Sequence, residues 1–148
     1  MRITSALVLV VFLLFAVGSA TAQDPVFEPV ANMGELMRDV IYPMSDAMFY
    51  VMRTPPETDY DWTLLRRSAM VLAESGNLLM LEGRSIRQDD WMAHAKELVD
   101  VGRVAFEATV AQDLDAIVEL SPRLEQSCRA CHEQYHPRYG RRPPNPDQ

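Results

Sequence analysis

Apolar residues recur along most of this chain at the three- and four-residue spacing of an α-helix, in four separate stretches. The stretches cover residues 33–52, 62–80, 91–110 and 114–135. No stretch alternates apolar and polar residues in the way that a half-buried strand does. The pattern therefore predicts an all-α protein, in which four amphipathic helices with short connections form an antiparallel four-helix bundle.

Aspartates mark the expected starts of three of these helices, and two prolines lie inside the first and the fourth. Pro43 lies inside the first helix, which should therefore bend or loosen about one turn earlier. Pro122 lies inside the fourth, so that helix either kinks there or restarts with Ser121 as its N-cap. The expected N-caps of the second, third and fourth helices are Asp59 or Asp61, Asp89 or Asp90, and Asp113.

The second helix carries an unusual number of small residues, among them Ala73, Ser75 and Gly76. Close packing against another helix is one explanation of these residues. A flat cofactor that lies against the helix is the other, and the sequence leaves both open.

The two ends of the chain differ from its helical part. Residues 1–22 have the order of a secretory signal peptide: Arg2, an apolar run to Val17, and a small-residue cleavage site. Because the run is shorter than the ~20 residues of a spanning helix, we expect no membrane insertion after cleavage. Residues 23–136 then form one domain. Residues 137–148 are rich in proline and arginine, which indicates a loose tail.

The chain is acidic, with 14 basic and 21 acidic side chains and a net charge of −7. Removal of the signal peptide takes away Arg2 and leaves a net charge of −8. An acidic surface argues against nucleic acid and anionic membranes as partners. It is compatible with a redox partner protein whose surface is basic or mixed.

The only two cysteines lie in the stretch Cys128-Arg129-Ala130-Cys131-His132. Cys-x-x-Cys-His is the attachment motif of c-type haem. On a helix, positions i, i+3 and i+4 share a face, so both thiols and the imidazole point the same way. The thiols can then bind the two vinyl groups of one haem, while a neutral His132 ligates its iron. Such attachment happens outside the cytoplasm, in agreement with the signal peptide.

Three other interpretations of the cysteines are open. A disulfide of the thioredoxin type would be expected in a βαβ context, which the sequence lacks. A zinc site would combine both cysteines with His132 and with His136 or His94, although such sites usually have ligand pairs further apart. Two unmodified structural cysteines are the third interpretation.

The mature chain resembles the class II cytochromes c, the family of cytochrome c′ and cytochrome c-556. The resemblance rests on Cys-Arg-Ala-Cys-His-Glu-Gln-Tyr at 128–135, on its place at the end of the fourth helix, and on the methionine-rich first helix. It implies a four-helix bundle that carries one haem c near its C-terminus. The export signal together with this type of haem predicts the periplasm of a Gram-negative bacterium as its location. Pro43 and Pro122 depart from the family's pattern.

The resemblance also implies two possible occupants of the sixth iron site. Members of the c-556 type use a methionine of the first helix and carry electrons, and Met37 best matches that position, with Met44 second because of the Pro43 bend. Members of the c′ type leave the site empty beneath an apolar side chain and bind NO or CO. Electron transfer without enzymatic activity is the expected function, and gas binding is the alternative.

Other residues have weaker expected roles. Arg84, Arg129 or Arg138 would pair with haem propionates or remain on the surface. Glu74 and Asn77 would touch the haem edge or form an exposed helix face. The family's frequent homodimers, formed through the first two helices, make a homodimer possible here.

Overall fold

A computed structural model describes residues 28–86 and 89–136 of the chain. The predicted signal peptide, the predicted tail and Arg138 lie outside these residues. The first helix, α1, consists of Met33–Glu35, a π-helical turn at Leu36–Ile41, and Tyr42–Phe49. A short 3₁₀ turn follows, at Val51–Arg53. The other helices are α2 (Asp59–Leu79), α3 (Asp89–Ala111) and α4 (Leu114–Tyr135).

The four helices pack against one another, which confirms the predicted all-α bundle. Contacts between helix ends show their antiparallel order. The indole of Trp91, early in α3, donates to the carbonyl of Leu79 at the end of α2 over 2.7 Å. Gln134, near the end of α4, donates to Asp90 at the start of α3 over 3.0 Å. None of the described helices is long and apolar enough to span a bilayer.

The small residues of α2 are used for close packing against α3. A Cβ atom at Gly76 would lie 2.6 Å from Val99 Cγ2 and 2.7 Å from the Ala95 carbonyl oxygen. A Cβ atom at Gly102 would lie 2.7 Å from Ala73 Cα. Since only glycine permits these approaches, the first of the two explanations for the small residues is correct.

The caps differ from the prediction at the starts of two helices. Asp89 and Asp90 both lie inside the first turn of α3, so neither is its N-cap. The N-cap of α2 is Thr58, so the assignment of Asp59 or Asp61 is wrong. Asp61 instead closes a capping box three residues later, where its carboxylate accepts from the Thr58 N–H over 2.9 Å. Asp113 caps α4 as predicted, with a 3.0 Å bond from the Ala116 N–H.

Helix α1 loosens one turn before Pro43, as predicted. The N–H of Tyr42 bonds to the carbonyl of Met37, five residues earlier, within the π-helical turn. The two buried residues of this turn, Leu36 and Ile41, are likewise five residues apart. Pro43 lacks an N–H, so it cannot close the α-helical bond to the carbonyl of Asp39.

Helix α4, by contrast, continues through Pro122 without a restart. Ser121 is not an N-cap, because its hydroxyl donates backwards to the carbonyl of Ile117 over 3.5 Å. The proline leaves the carbonyl of Val118 without an α-helical donor. Val118 is exposed, so water can supply the missing hydrogen bond.

The core runs between the helices and contains most of the predicted apolar positions. Three residues that follow the apolar spacing of the predicted helices, Met52, Val110 and Val118, are exposed. Three serines of the described residues are buried, at positions 45, 75 and 127. The hydroxyl of Ser75 donates to the Val71 carbonyl over 2.7 Å, which satisfies it within its own helix. Ser45 is buried in the same way.

Candidate haem-attachment site

The last turns of α4 carry the two cysteines and the histidine of the motif. Cys128, Cys131 and His132 are all half-buried, and both thiols are free of a disulfide. Ser127 beside them is buried, and its hydroxyl donates to the Leu124 carbonyl over 2.8 Å. The helix therefore presents two thiols and one imidazole at the edge of the core.

A groove of about 830 Å³ separates this part of α4 from α1. Pockets that hold small organic ligands and cofactors typically measure about 300–1,000 Å³. Cys128, Arg129 and His132 form its α4 wall. The facing α1 wall includes Met37 and Ile41. The groove is thus large enough for a cofactor and contains part of the motif.

A second, apolar cavity of about 40 Å³ lies on the core side of the same residues. Cys128, His132, Met37 and Ile41 border both cavities. Cys131 borders the inner cavity alone. Each of the motif's two thiols, its imidazole and Met37 therefore borders at least one of these two neighbouring cavities.

The structure separates the two candidate methionines. Met37 borders both cavities together with His132. Met44 borders neither and packs against the hydrophobic core. Of the two, Met37 is the one beside the predicted proximal ligand.

Burial shifts the pKa values of the motif's two thiols and its imidazole. It raises the pKa of the Cys128 thiol, which a hydrogen bond with Ser127 partly offsets and the Glu125 carboxylate reinforces. Burial likewise raises the pKa of Cys131, with a further contribution from Cys128. Cysteines of thioredoxin-type redox motifs have lowered pKa values instead, which makes that interpretation of this motif less suitable.

Burial also lowers the pKa of His132, and the nearby His136 lowers it further. The two imidazole rings have centroids 6.2 Å apart. A neutral imidazole is the form that ligates a metal, so the surroundings of His132 favour the form that an iron ligand needs. Within the described residues, no three His, Cys, Asp or Glu side chains come together to hold a metal ion by themselves. The zinc interpretation therefore lacks a ligand set there.

The two candidate propionate partners that the structure describes, Arg129 and Arg84, lie in different places. Arg129 borders the groove and makes a 3.2 Å ion pair with Glu125. Arg84 lies elsewhere and donates to the carbonyls of Leu78 and Ala31, which ties the start of α1 to the end of α2. Only the first of these two borders the groove, where it could meet a propionate.

The remaining candidates have ordinary structural contacts. His94 borders the inner cavity from α3 and bonds through Nε2 to the Gln134 side chain over 2.9 Å. Asn77 donates to Glu74 over 2.9 Å, and this exposed pair borders neither cavity.

Sequence reasoning did not single out the α1 residues that border the groove on either side of Met37. Arg38 and Ile41 border it beside Met37. Ile41 belongs to the predicted apolar stretch 33–52, and its position four residues after Met37 places it about one turn along the same side of the helix.

Comparisons of the chain with models of known families, with curated proteins and with solved structures find no match. The chemistry of the site itself therefore tests the haem hypothesis. Cys128 and His132 border the groove of cofactor size from α4, Cys131 borders only the small inner cavity, and Met37 borders both cavities from α1. These donors fit a covalently attached haem.

Proposed function

We propose that this protein is an exported, periplasmic c-type cytochrome that carries electrons through one haem. A haem supplies reversible one-electron chemistry at its iron when it is bound. The observation that carries the proposal is that Met37 faces the Cys128–His132 turn across the groove. A redox protein with a basic or mixed surface is the proposed partner of this acidic chain.

Cys128 and Cys131 would hold the haem covalently. Each thiol adds across one vinyl group, so that sulfur bonds to one vinyl carbon and the thiol hydrogen moves to the other. No electron is gained or lost in this addition. The half-burial of both thiols would hold the attached ring against the core.

His132 and Met37 would hold the iron from opposite walls. A methionine sulfur together with a histidine raises the reduction potential of haem iron. Ile41 borders both cavities beside Met37 and would place an apolar side chain against that face of the haem. This arrangement suits electron transfer.

Mass spectrometry of the protein exported by a host that matures c-type cytochromes tests the attachment. We expect the mass of residues 23–148 plus one haem. The Cys128→Ser and Cys131→Ser variants should each lose one thioether, and the double variant should lose covalent haem altogether. A wild-type protein with the bare polypeptide mass would refute the proposal.

A five-coordinate, gas-binding iron is the second candidate. It is favoured by Ile41, an apolar side chain that borders both cavities beside Met37 and could cover an empty site. Visible spectra of the purified protein separate the two functions. Low-spin bands with a far-red sulfur-to-iron transition support electron transfer, and Met37→Ala should then give a high-spin iron that binds CO. A high-spin wild-type spectrum that CO shifts readily supports gas binding.

A further inference from the structure

We propose that Pro43 is a positioning residue, which fixes the π-helical turn of α1 and thereby turns Met37, rather than Arg38, toward the haem iron. The inference rests on the function proposed above. It concerns how the chain selects the sixth ligand of the haem iron.

The burial pattern of α1 does not fit a regular α-helix. Leu36 is 3% exposed and Ile41 is 7% exposed, so both face the core. Residues five apart in an α-helix point about 140° away from each other, since each residue turns the helix by about 100°. The π-helical turn accommodates one extra residue and brings both onto one side.

The same turn decides which side chain reaches the inner cavity, since Met37 borders both cavities and Arg38 borders the groove alone. With the residues from Ile41 onward held in the core, a regular α-helix would shift the preceding residues by nearly one position. Arg38 would then take the direction that Met37 now has. Met37 would take the buried direction of Leu36. A guanidinium does not ligate iron, so the haem would lose its methionine ligand.

Pro43 supplies a reason for the turn to persist. Its missing N–H and its ring both oppose an α-helical bond at the carbonyl of Asp39. One residue before Pro43, the Tyr42 N–H bonds to the Met37 carbonyl, whereas a regular α-helix would pair it with the carbonyl of Arg38. Pro43 itself is not among the residues that border either cavity, so it acts on the site only through Met37.

The test compares absorption spectra of exported holoprotein from four chains. These are the wild type, Pro43→Ala, Pro43→Ala with Asp39 deleted, and Pro122→Ala. Asp39 is exposed and borders neither cavity. Its deletion removes the extra residue, so Leu36 and Ile41 become four apart and Met37 keeps its direction in a regular helix.

We expect Pro43→Ala to lose most of the far-red sulfur-to-iron band and to gain a high-spin, CO-binding iron. The deletion should restore the band in the Pro43→Ala background. Pro122→Ala is the matched control, because it also replaces a proline inside a helix but leaves α1 unchanged, and it should keep the wild-type spectrum.

Two results would overturn the inference. One is a Pro43→Ala protein with the full wild-type band. The other is a deletion variant without the band, whether or not Pro43→Ala alone yields folded protein. The wild-type sample separates these failures from failure of the proposed function, because it must first show covalent haem and the sulfur-to-iron band.

Discussion

At the scale of single residues, two glycines set the distance between α2 and α3. Neither has an unusual backbone conformation, so their value lies in the absence of a side chain. Gly76 sits against backbone atoms of α3, which cannot move aside as a flexible side chain would. The position therefore tolerates no larger residue without separating the helices.

We expect Gly76→Ala to lower the free energy of unfolding by about 2 kcal/mol, because the overlap outweighs the better helix propensity of alanine. Gly34→Ala is the matched control, since its Cβ would meet nothing closer than 3.4 Å. That variant should be neutral or more stable by about 0.5 kcal/mol. Denaturant unfolding measures both, and equal effects of the two substitutions would contradict the argument.

Gln112 ends α3 in the left-handed region, with φ of 55°. The Asp113 N–H bonds to the Ala108 carbonyl over 3.0 Å, the pattern of a helix end that favours glycine. We expect Gln112→Gly to raise the free energy of unfolding by about 0.5–1 kcal/mol. Gln112→Ala removes the same side chain without relieving the backbone and should give no gain in the same thermal unfolding experiment.

The sequence was sufficient to select the residues with the most distinctive chemistry. Cys128, Cys131 and His132 stand out by spacing alone. Ser45 and Ser127 were missed, because a serine that bonds to a carbonyl of its own helix can be buried, and nothing in the sequence marks that bond.

At the scale of helices, the ends were predicted less well than the interiors. The start of α2 was assigned to an aspartate, although Thr58 and Asp61 form a complete capping box. A capping box usually has Glu or Gln at its last position, and here Asp makes the same hydrogen bond to the N-cap N–H. The loosening before Pro43 was predictable from proline chemistry. The five-residue spacing of Leu36 and Ile41 required the structure.

The capping box of α2 makes stability depend on pH. Hydrogen bonds from the Thr58 hydroxyl, the Thr58 N–H and the Glu57 N–H lower the pKa of Asp61 below 3.8. The ionised carboxylate therefore stabilises the fold above that pH, and this contribution is lost as the pH falls through the lower folded-state pKa. The unfolded chain binds the proton first, which fixes the sign.

We expect Asp61→Asn to lower the melting temperature near about pH 7 and to approach wild-type behaviour near about pH 2. Asp59→Asn removes a charge from the same helix end but leaves the capping box intact, so its effect should be smaller. A difference between wild type and Asp61→Asn that stays constant across this range would contradict the assignment.

At the scale of the whole molecule, the helices contribute unequally to the core. The contact between α2 and α3 is the most extensive, followed by that between α3 and α4. Helix α1 touches α4 over a much smaller area, and the groove lies between these two helices. The apolar periodicity of the sequence predicts all four helices, but it carries no information about which pairs of helices pack most closely.

Hydrogen exchange should reveal this inequality. We expect the slowest amide exchange in the centres of α2 and α3 and the fastest exchange, among the helices, in α1. Mass spectrometry of peptides from the labelled holoprotein resolves the four helices. If α1 proved as protected as α3, the contact pattern would not describe the stability of the folded protein.

The position of the groove has a consequence for maturation. Because α1 makes few contacts with α4, a chain in which α2 and α3 have already packed together could admit the proposed haem from the side of the groove. Loading would then require only that α1 move outward and return. Under the proposed function, we therefore expect haem attachment to act on a nearly native chain.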